Sequence, residues 1–161
     1  ISLLKQFADK KNGGFYLNGK DNEKLVIAPK EIYDGAVPSG NSVMAYNFVR
    51  LWQLTGEAEW EDAAKQQLRY MSSAASDYPS GHSMFLLSLL LYLNPPPTIK
   101  VLSADEKEWP DIIKKLPLYA DVETIPISSE EYKLINGRTT FYVCKGNTCL
   151  KPVNSLEEVF K

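Results

Sequence analysis

One five-residue pattern occurs twice in this chain, as Pro38-Ser39-Gly40-Asn41-Ser42 and as Pro79-Ser80-Gly81-His82-Ser83. Each copy opens directly onto an apolar run, Val43 to Leu54 in the first case and Met84 to Leu93 in the second. A string that recurs at the heads of two similar segments is an internal repeat, here of helical-hairpin length. Proline stiffens the turn, serine can cap exposed N–H groups, and glycine permits close backbone approach. Both copies therefore predict a helix start.

The segments around the repeat differ in kind. Asn41 to Leu54 is apolar almost all round, interrupted by Asn47, Arg50 and Gln53, and Met84 to Leu93 is apolar on nearly every face. Helices of that composition are expected to be buried on most sides. Ala58 to Ser73 instead carries a single stripe, Trp60, Ala64, Leu68 and Met71, with Glu59, Glu61, Asp62, Lys65, Gln66 and Arg69 turned to water. Ile1 to Ala8 has apolar residues at 1, 3, 4, 7 and 8, the spacing of one helix face, and Asn12-Gly13-Gly14 is read as its end. Between Gly13 and Asn41 runs a long connection with two short extended pieces, Phe15 to Leu17 and Leu25 to Ile27; long ordered loops are often functional.

The helical order is outer, buried, outer, buried. Consecutive helices joined by short loops run antiparallel, so the two buried helices are parallel and their N-termini share a rim. This is the construction of an α/α toroid. Four helices cannot close such a ring, and with Ile rather than Met at position 1 the chain reads as a piece of a longer protein.

Asn94-Pro95-Pro96-Pro97 is a stiff break, after which the period changes. Thr98 to Leu102 and Val122 to Ile127 read as strands around a helix from Asp105 to Leu116. Thr139 to Cys144 and Thr148 to Val153 flank Lys145-Gly146-Asn147 as a hairpin, and Ser155 to Phe160 closes as a short helix capped by Ser155 with Glu158 in the capping-box place. The expected fold class is mainly α plus small α/β: a partial α/α toroid with a long rim loop at 1–96, then a βαβ-plus-hairpin subdomain at 97–161. Leu102-Ser103-Ala104-Asp105 lacks the glycine spacing of a phosphate loop.

Composition narrows the function classes. At 44% hydrophobic, 24% charged and net charge −2, the chain is of globular type, and no Lys/Arg block suggests nucleic acid or an anionic membrane as partner. Met84 to Leu93 is too short to span a bilayer. Two cysteines and one histidine do not make a typical zinc site, so neither metal nor cofactor is expected. Cys144 and Cys149 are read as two reduced thiols across a hairpin in a cytoplasmic protein, with a cross-strand disulfide as the alternative.

Gly14-Phe15-Tyr16, Pro29-Lys30-Glu31-Ile32-Tyr33-Asp34-Gly35-Ala36, Pro38 to Ser42, and the tail from Tyr142-Val143-Cys144 through Cys149 to Pro152-Val153 resemble the C-terminal part of the YyaL-like, thioredoxin-domain-containing family. Its animal members are called spermatogenesis-associated. The resemblance implies a thioredoxin-like domain, then a six-hairpin α/α toroid, then a small α/β tail, with this chain the last third or less. That toroid is similar to those of N-acylglucosamine 2-epimerases and several glycoside-processing enzymes. The implied partners are a saccharide and the rest of the parent chain, including its thioredoxin-like domain and missing toroid helices. No thiol-redox activity is expected of this piece.

Candidate site residues follow from the rim. Asp34 and Glu31, on the loop leading to it, are candidate general acid and base on a sugar; the alternative for Asp34 is that it bonds backbone N–H groups of its own turn. His82, the sole histidine, heads the last buried helix, where a histidine of the epimerase-like toroids transfers protons; the alternative is a ring bonded to its loop. Asn41, Ser39, Tyr33 and Arg50 are candidate substrate contacts: amide and hydroxyl groups for sugar hydroxyls, a ring for a sugar face, and a guanidinium lining the cavity or pairing with a carboxylate in a missing helix. Lys30 is read as a loop ion pair. A non-enzymatic helical scaffold is the competing reading, and it requires an exposed apolar patch where an enzyme requires convergent polar groups.

Overall fold

The computed structural model describes residues 2–22, 27–116, 120–125, 132–145 and 148–159. The chain forms two compact units, Ile1–Asn94 and Pro95–Lys161.

The first unit is helical: α1 (Ser2–Phe7), α2 (Gly40–Thr55), α3 (Ala58–Asp77), a 3-10 turn (Pro79–Gly81) and α4 (Ser83–Leu93). Helix α1 stops at Phe7, short of the glycines expected to end it. Gly13 and Gly14 instead hold φ of 79° and 74° in a turn that returns on itself, Gly13 N–H donating to Asp9 O and Asp9 N–H to Gly14 O. Phe15 makes only a single bridge with Ala8, and the expected extended piece at 25–27 lies largely outside the described residues. Gly56 closes α2 in the left-handed conformation, φ 70°, its N–H returning to Trp52 O, as the break at Thr55-Gly56-Glu57 predicts.

Helices α2 and α3 are antiparallel. Asn41 meets Gln67 near one end of the pair and Phe48 stacks on Trp60 near the other. Helices α2 and α4 are parallel and adjacent: their N-terminal ends share the Asp34 carboxylate, and at their C-terminal ends Gln53 donates to Leu91 O while Trp52 packs on Tyr92. The core is Ala45, Phe48 and Val49 of α2, Ala64, Leu68, Met71 and Ala75 of α3, and Phe85 of α4. Burying a side chain the size of Phe85 or Met71 stabilises by roughly 1.5–3 kcal/mol.

One expectation fails here. Helix α4 is not buried on most sides: Phe85 and Ser88 are its buried residues, whereas Leu87, Leu90 and Leu93 are 44, 57 and 64% exposed. Leu54 of α2 is likewise 69% exposed. Composition reports what a helix could bury, and among the described residues of the first unit α4 has neighbours on only part of its circumference.

The second unit has a four-stranded sheet, order β2-β1-β3-β4, of β1 (Thr98–Leu102), β2 (Asp121–Thr124), β3 (Thr140–Lys145) and β4 (Thr148–Cys149). β1 and β2 are parallel, joined through a 3-10 turn at Glu106–Glu108 and α5 (Trp109–Lys115); β3 is antiparallel to β1 and β4 to β3. Pro110 sits in the first turn of α5, where its missing N–H costs nothing. β4 is shorter than the expected Thr148–Val153 strand, although Val153 rejoins the sheet by bridging Phe141. The hairpin turn at 146–147 and positions 126–127 and 160 of the expected elements lie outside the described residues. The last helix, α6 (Leu156–Val159), takes Ser155 as its cap, Glu158 N–H donating to Ser155 Oγ at 3.3 Å.

Cys144 and Cys149 face each other across β3 and β4 and are joined in a disulfide, which corrects the expectation of two reduced thiols. Antiparallel register places the two side chains directly opposite each other, within bonding reach. The disulfide removes the reduced-thiol reading that accompanied the expected cytoplasmic location. No described helix is long and apolar enough to cross a membrane.

Candidate functional site

The parallel pairing of α2 and α4 brings both Pro-Ser-Gly turns to one end of the first unit, and the loop carrying Glu31, Tyr33 and Asp34 passes between them. Asp34 N–H donates to Gly81 O at 2.7 Å, which pins the loop to the second turn. The Asp34 carboxylate then bridges the two helix starts. Its Oδ1 accepts from Ser39 N–H at 2.8 Å, and its Oδ2 from Met84 N–H at 2.9 Å and Phe85 N–H at 3.3 Å. Burial pushes the Asp34 carboxyl up, but hydrogen bonds from Ser39 N–H, the Ser42 hydroxyl, Phe85 N–H and Met84 N–H outweigh it and hold the group below the ordinary carboxylate range. A carboxylate so engaged is an ion held in place by donors rather than a proton donor.

Asn41 is buried, and both ends of its amide are engaged. Oδ1 accepts from Phe15 N–H at 2.7 Å and Gln67 Nε2 at 3.1 Å, while Nδ2 donates to Phe15 O at 2.9 Å and Glu31 O at 2.7 Å. It ties the connection, α2 and α3 together. Ser39 is buried too, its Oγ accepting from Ser42 N–H at 3.1 Å as the cap of α2. Arg50 is half-buried and donates to Gln53 Oε1 within its own helix. The Glu31 side chain is exposed.

His82 is buried, and its Nδ1 lies 2.8 Å from Tyr78 O. A backbone carbonyl accepts only, so Nδ1 carries a proton and donates it there. Nε2 is the buried side-chain nitrogen that lacks a hydrogen-bond partner among the described residues. Above the same turn, Tyr33 and Tyr78 stack with ring planes 4° apart and centroids separated by 6.2 Å, and both remain about half exposed. Gly81 makes the stack possible: a Cβ there would lie 2.5 Å from the Tyr78 ring and 2.7 Å from that of Tyr33.

The rim thus gathers Asp34, Ser39, Tyr33 and His82, with Asn41 just behind and Arg50 farther along α2. The bonds of Asp34 to Met84 and Phe85 join residues about fifty positions apart and have no local signature. Gln67, which fixes Asn41, sits beside the apolar stripe of α3, and a buried-side glutamine is the trace it leaves in the sequence. Lys30 pairs with Asp9 at 2.6 Å as expected, donates to Gly13 O, and lies 4.8 and 5.1 Å from the Tyr16 and Tyr70 ring centroids. The Lys30 hydrogen bond, helped by Tyr16 and Asn12, holds the Asp9 carboxyl far below the ordinary range. Among the described residues no group of three or more His, Cys, Asp or Glu could hold a metal ion. The second unit carries a cavity of about 540 Å³ at the C-terminal end of β1, lined in part by Glu108, Asp111, Lys115, Arg138 and Thr139.

No protein-family model matches the chain. Over 164 residues it is 24% identical to an uncharacterised protein of Caenorhabditis elegans, a match covering 91% of this chain and 22% of that protein. Over 59 residues it is 41% identical to spermatogenesis-associated protein 20 of Rattus norvegicus and 39% identical to the human protein of that name. Those matches cover 36% of this chain and 8% of each relative. The chain therefore spans about a fifth of the worm protein and less than a tenth of the mammalian ones, and its similarity links it in part to spermatogenesis-associated protein 20.

Proposed function

We propose that the chain is the C-terminal portion of a longer protein resembling spermatogenesis-associated protein 20, and that its helices form part of the wall of a carbohydrate-related six-hairpin α/α toroid. In this reading the rim binds a saccharide and does not itself supply the acid. The observation that carries it is the Tyr33–Tyr78 stack, two half-exposed parallel rings at the shared helix rim. Exposed aromatic faces suit the apolar face of a pyranose, and tyrosine adds a hydroxyl. His82, which heads the helix after Tyr78's turn, is buried with Nε2 shielded from solvent, so in this reading it shapes the turn rather than touching the sugar. Asp34 and Asn41 hold this surface in shape, and Glu31 is the carboxylate with an exposed side chain beside it.

The test is a saccharide screen on the full-length protein, with Tyr33→Ala and Tyr78→Ala beside it. Binding that falls at least tenfold in both variants, with unchanged thermal midpoints, is expected. Binding indifferent to both tyrosines, or absent from the full-length protein, ends the reading. The exposed leucines of α4 favour a second reading, a helical scaffold that docks other protein segments without chemistry.

A further inference from the structure

The second unit carries polar groups that the rim does not use. Helices α5 and α6 pack into one cluster with Ile99, Val101 and Phe141 of the sheet. Beside that cluster, past the end of β1, lies the cavity of about 540 Å³, within the roughly 300–1,000 Å³ of small-molecule sites. Ile112, Phe141 and Leu156 give it an apolar floor. Its charged lining is Glu108, Asp111, Lys115 and Arg138, two of each sign among the described residues.

The fold holds these charges in place. Asn136 and Gly137 both take left-handed backbone, φ 54° and 67°, in a tight turn closed by Arg138 N–H donating to Ile135 O at 3.1 Å. Asn154 Nδ2 clamps the exit of that turn, 2.9 Å from Thr139 O and 3.1 Å from Thr140 Oγ1, which fixes the backbone that carries Arg138. Glu108 is positioned as firmly. Its Oε2 accepts from the Thr139 hydroxyl at 2.6 Å, and that hydroxyl oxygen accepts from Ala104 N–H at 3.0 Å. Oε1 of Glu108 is left to accept from another donor. Among the described residues, neither the Arg138 guanidinium nor the Lys115 ammonium meets a hydrogen-bond or ion-pair partner. Asp111 pairs with Lys114 at 3.5 Å, an exposed contact of little strength.

We propose that this cavity binds a free α-amino acid with an apolar side chain. Arg138, aided by Lys115, takes the carboxylate, Glu108 takes the ammonium, and the side chain lies on Ile112, Phe141 and Leu156. A guanidinium pairs with a carboxylate through two parallel N–H···O bonds, which gives direction as well as strength. Glu108 and Asp111 would repel a multiply charged anion such as a nucleotide phosphate, and the apolar floor offers nothing to a small inorganic ion. A lining of both signs matches a dipolar ligand. The site lies wholly within the second unit and does not rest on the saccharide reading.

The experiment titrates the full-length protein calorimetrically with L-phenylalanine and L-leucine, each beside its analogues lacking the amine (hydrocinnamate, isocaproate) or the carboxylate (phenethylamine, isoamylamine). At least one amino acid should bind at or below millimolar concentration, and both of its analogues at least tenfold more weakly. Arg138→Gln should weaken the amino acid at least tenfold. Glu108→Gln, which can still accept from Thr139, should erase the preference for the amino acid over the analogue lacking the amine. Both side chains are exposed, so thermal midpoints should change little. No binding of either amino acid at millimolar concentration, equal binding of an analogue that lacks one charge, or binding indifferent to Arg138→Gln would overturn the proposal. An amine preference that survives Glu108→Gln would overturn it too. Saccharide binding, present or absent, bears on the rim alone.

Discussion

The two Pro-Ser-Gly turns are identical at four of five positions and reach their helices by different means. The first caps itself: Ser39 is extended, φ −66° and ψ 150°, and its hydroxyl takes Ser42 N–H. The second folds into a 3-10 turn, His82 stands where the cap should be and gives α4 no side-chain bond, and the carboxylate comes from Asp34. The variable position diverges as well. Asn41 has its whole amide engaged, whereas its counterpart His82 uses one nitrogen and leaves the other unpartnered. A repeated string thus fixes where helices begin without fixing what satisfies their first N–H groups. That depends on which loop passes by.

The largest expected effect lies at the variable position. Asn41→Ala should cost about 3 kcal/mol or more in the isolated chain, because Phe15 N–H, Phe15 O and Glu31 O all lose a buried partner. His82→Gln should cost about 1 kcal/mol or less, since it gives up one bond to Tyr78 and removes an unmet nitrogen. Chemical denaturation reads both, and equal losses would erase the distinction between the turns.

Asp34 comes next. Had it served only its own turn, replacement by Asn would cost about 1 kcal/mol or less; bridging two helices raises the expected loss to about 1–3 kcal/mol. The pH dependence has a definite sign. The folded carboxyl titrates below its unfolded value of about 3.9, so the folded state binds fewer protons. The stabilisation is complete above that value and is lost as pH falls through the folded pKa. Acid unfolding of the Asp34→Asn protein should therefore be less steep below about pH 4 than that of the unmodified chain. Parallel curves would assign the acid sensitivity elsewhere, Asp9 being the next candidate.

These effects mark how far the sequence could be read. Apolar periodicity located α2, α3 and α4 to within a few residues, and the repeat placed two helix starts on one rim, because both signals are local. Asp34 was legible as a turn carboxylate but not as the cap of α4, since its partners Met84 and Phe85 are distant in sequence and use only backbone N–H. The exposed stripe of α4 escaped notice for another reason. Leu87, Leu90 and Leu93 look like core residues in any context, and whether they are covered depends on tertiary neighbours that the helix's own composition does not reveal. The disulfide required knowing that register sets Cys144 opposite Cys149.

A smaller contrast concerns the serines. Ser39→Ala removes a buried hydroxyl that caps α2 and should cost about 1–2 kcal/mol. Ser80→Ala, at the matching place in the second turn, changes an exposed side chain and should stay within about 0.5 kcal/mol. A comparable loss at Ser80 would mean that the two turns are capped alike after all.

The smallest effects should differ in sign, at the two glycines. Gly40 begins α2, and a Cβ added there would meet nothing within 4 Å. Gly40→Ala removes backbone freedom from the unfolded chain without a clash, and should stabilise by about 0.4–1 kcal/mol. The same Cβ at Gly81 would run into both tyrosine rings. Those rings are half exposed and can swing outward, so Gly81→Ala should cost only about 0.5–1.5 kcal/mol, the worth of an aromatic pair. What it should abolish is the stack itself, visible as a loss of near-ultraviolet circular dichroism from tyrosine while the far-ultraviolet spectrum holds. If Gly81→Ala keeps that signal, the glycine is not what lets Tyr33 and Tyr78 meet. If it loses both the signal and saccharide binding by the full-length protein, the second turn differs from the first because it was shaped to present two rings.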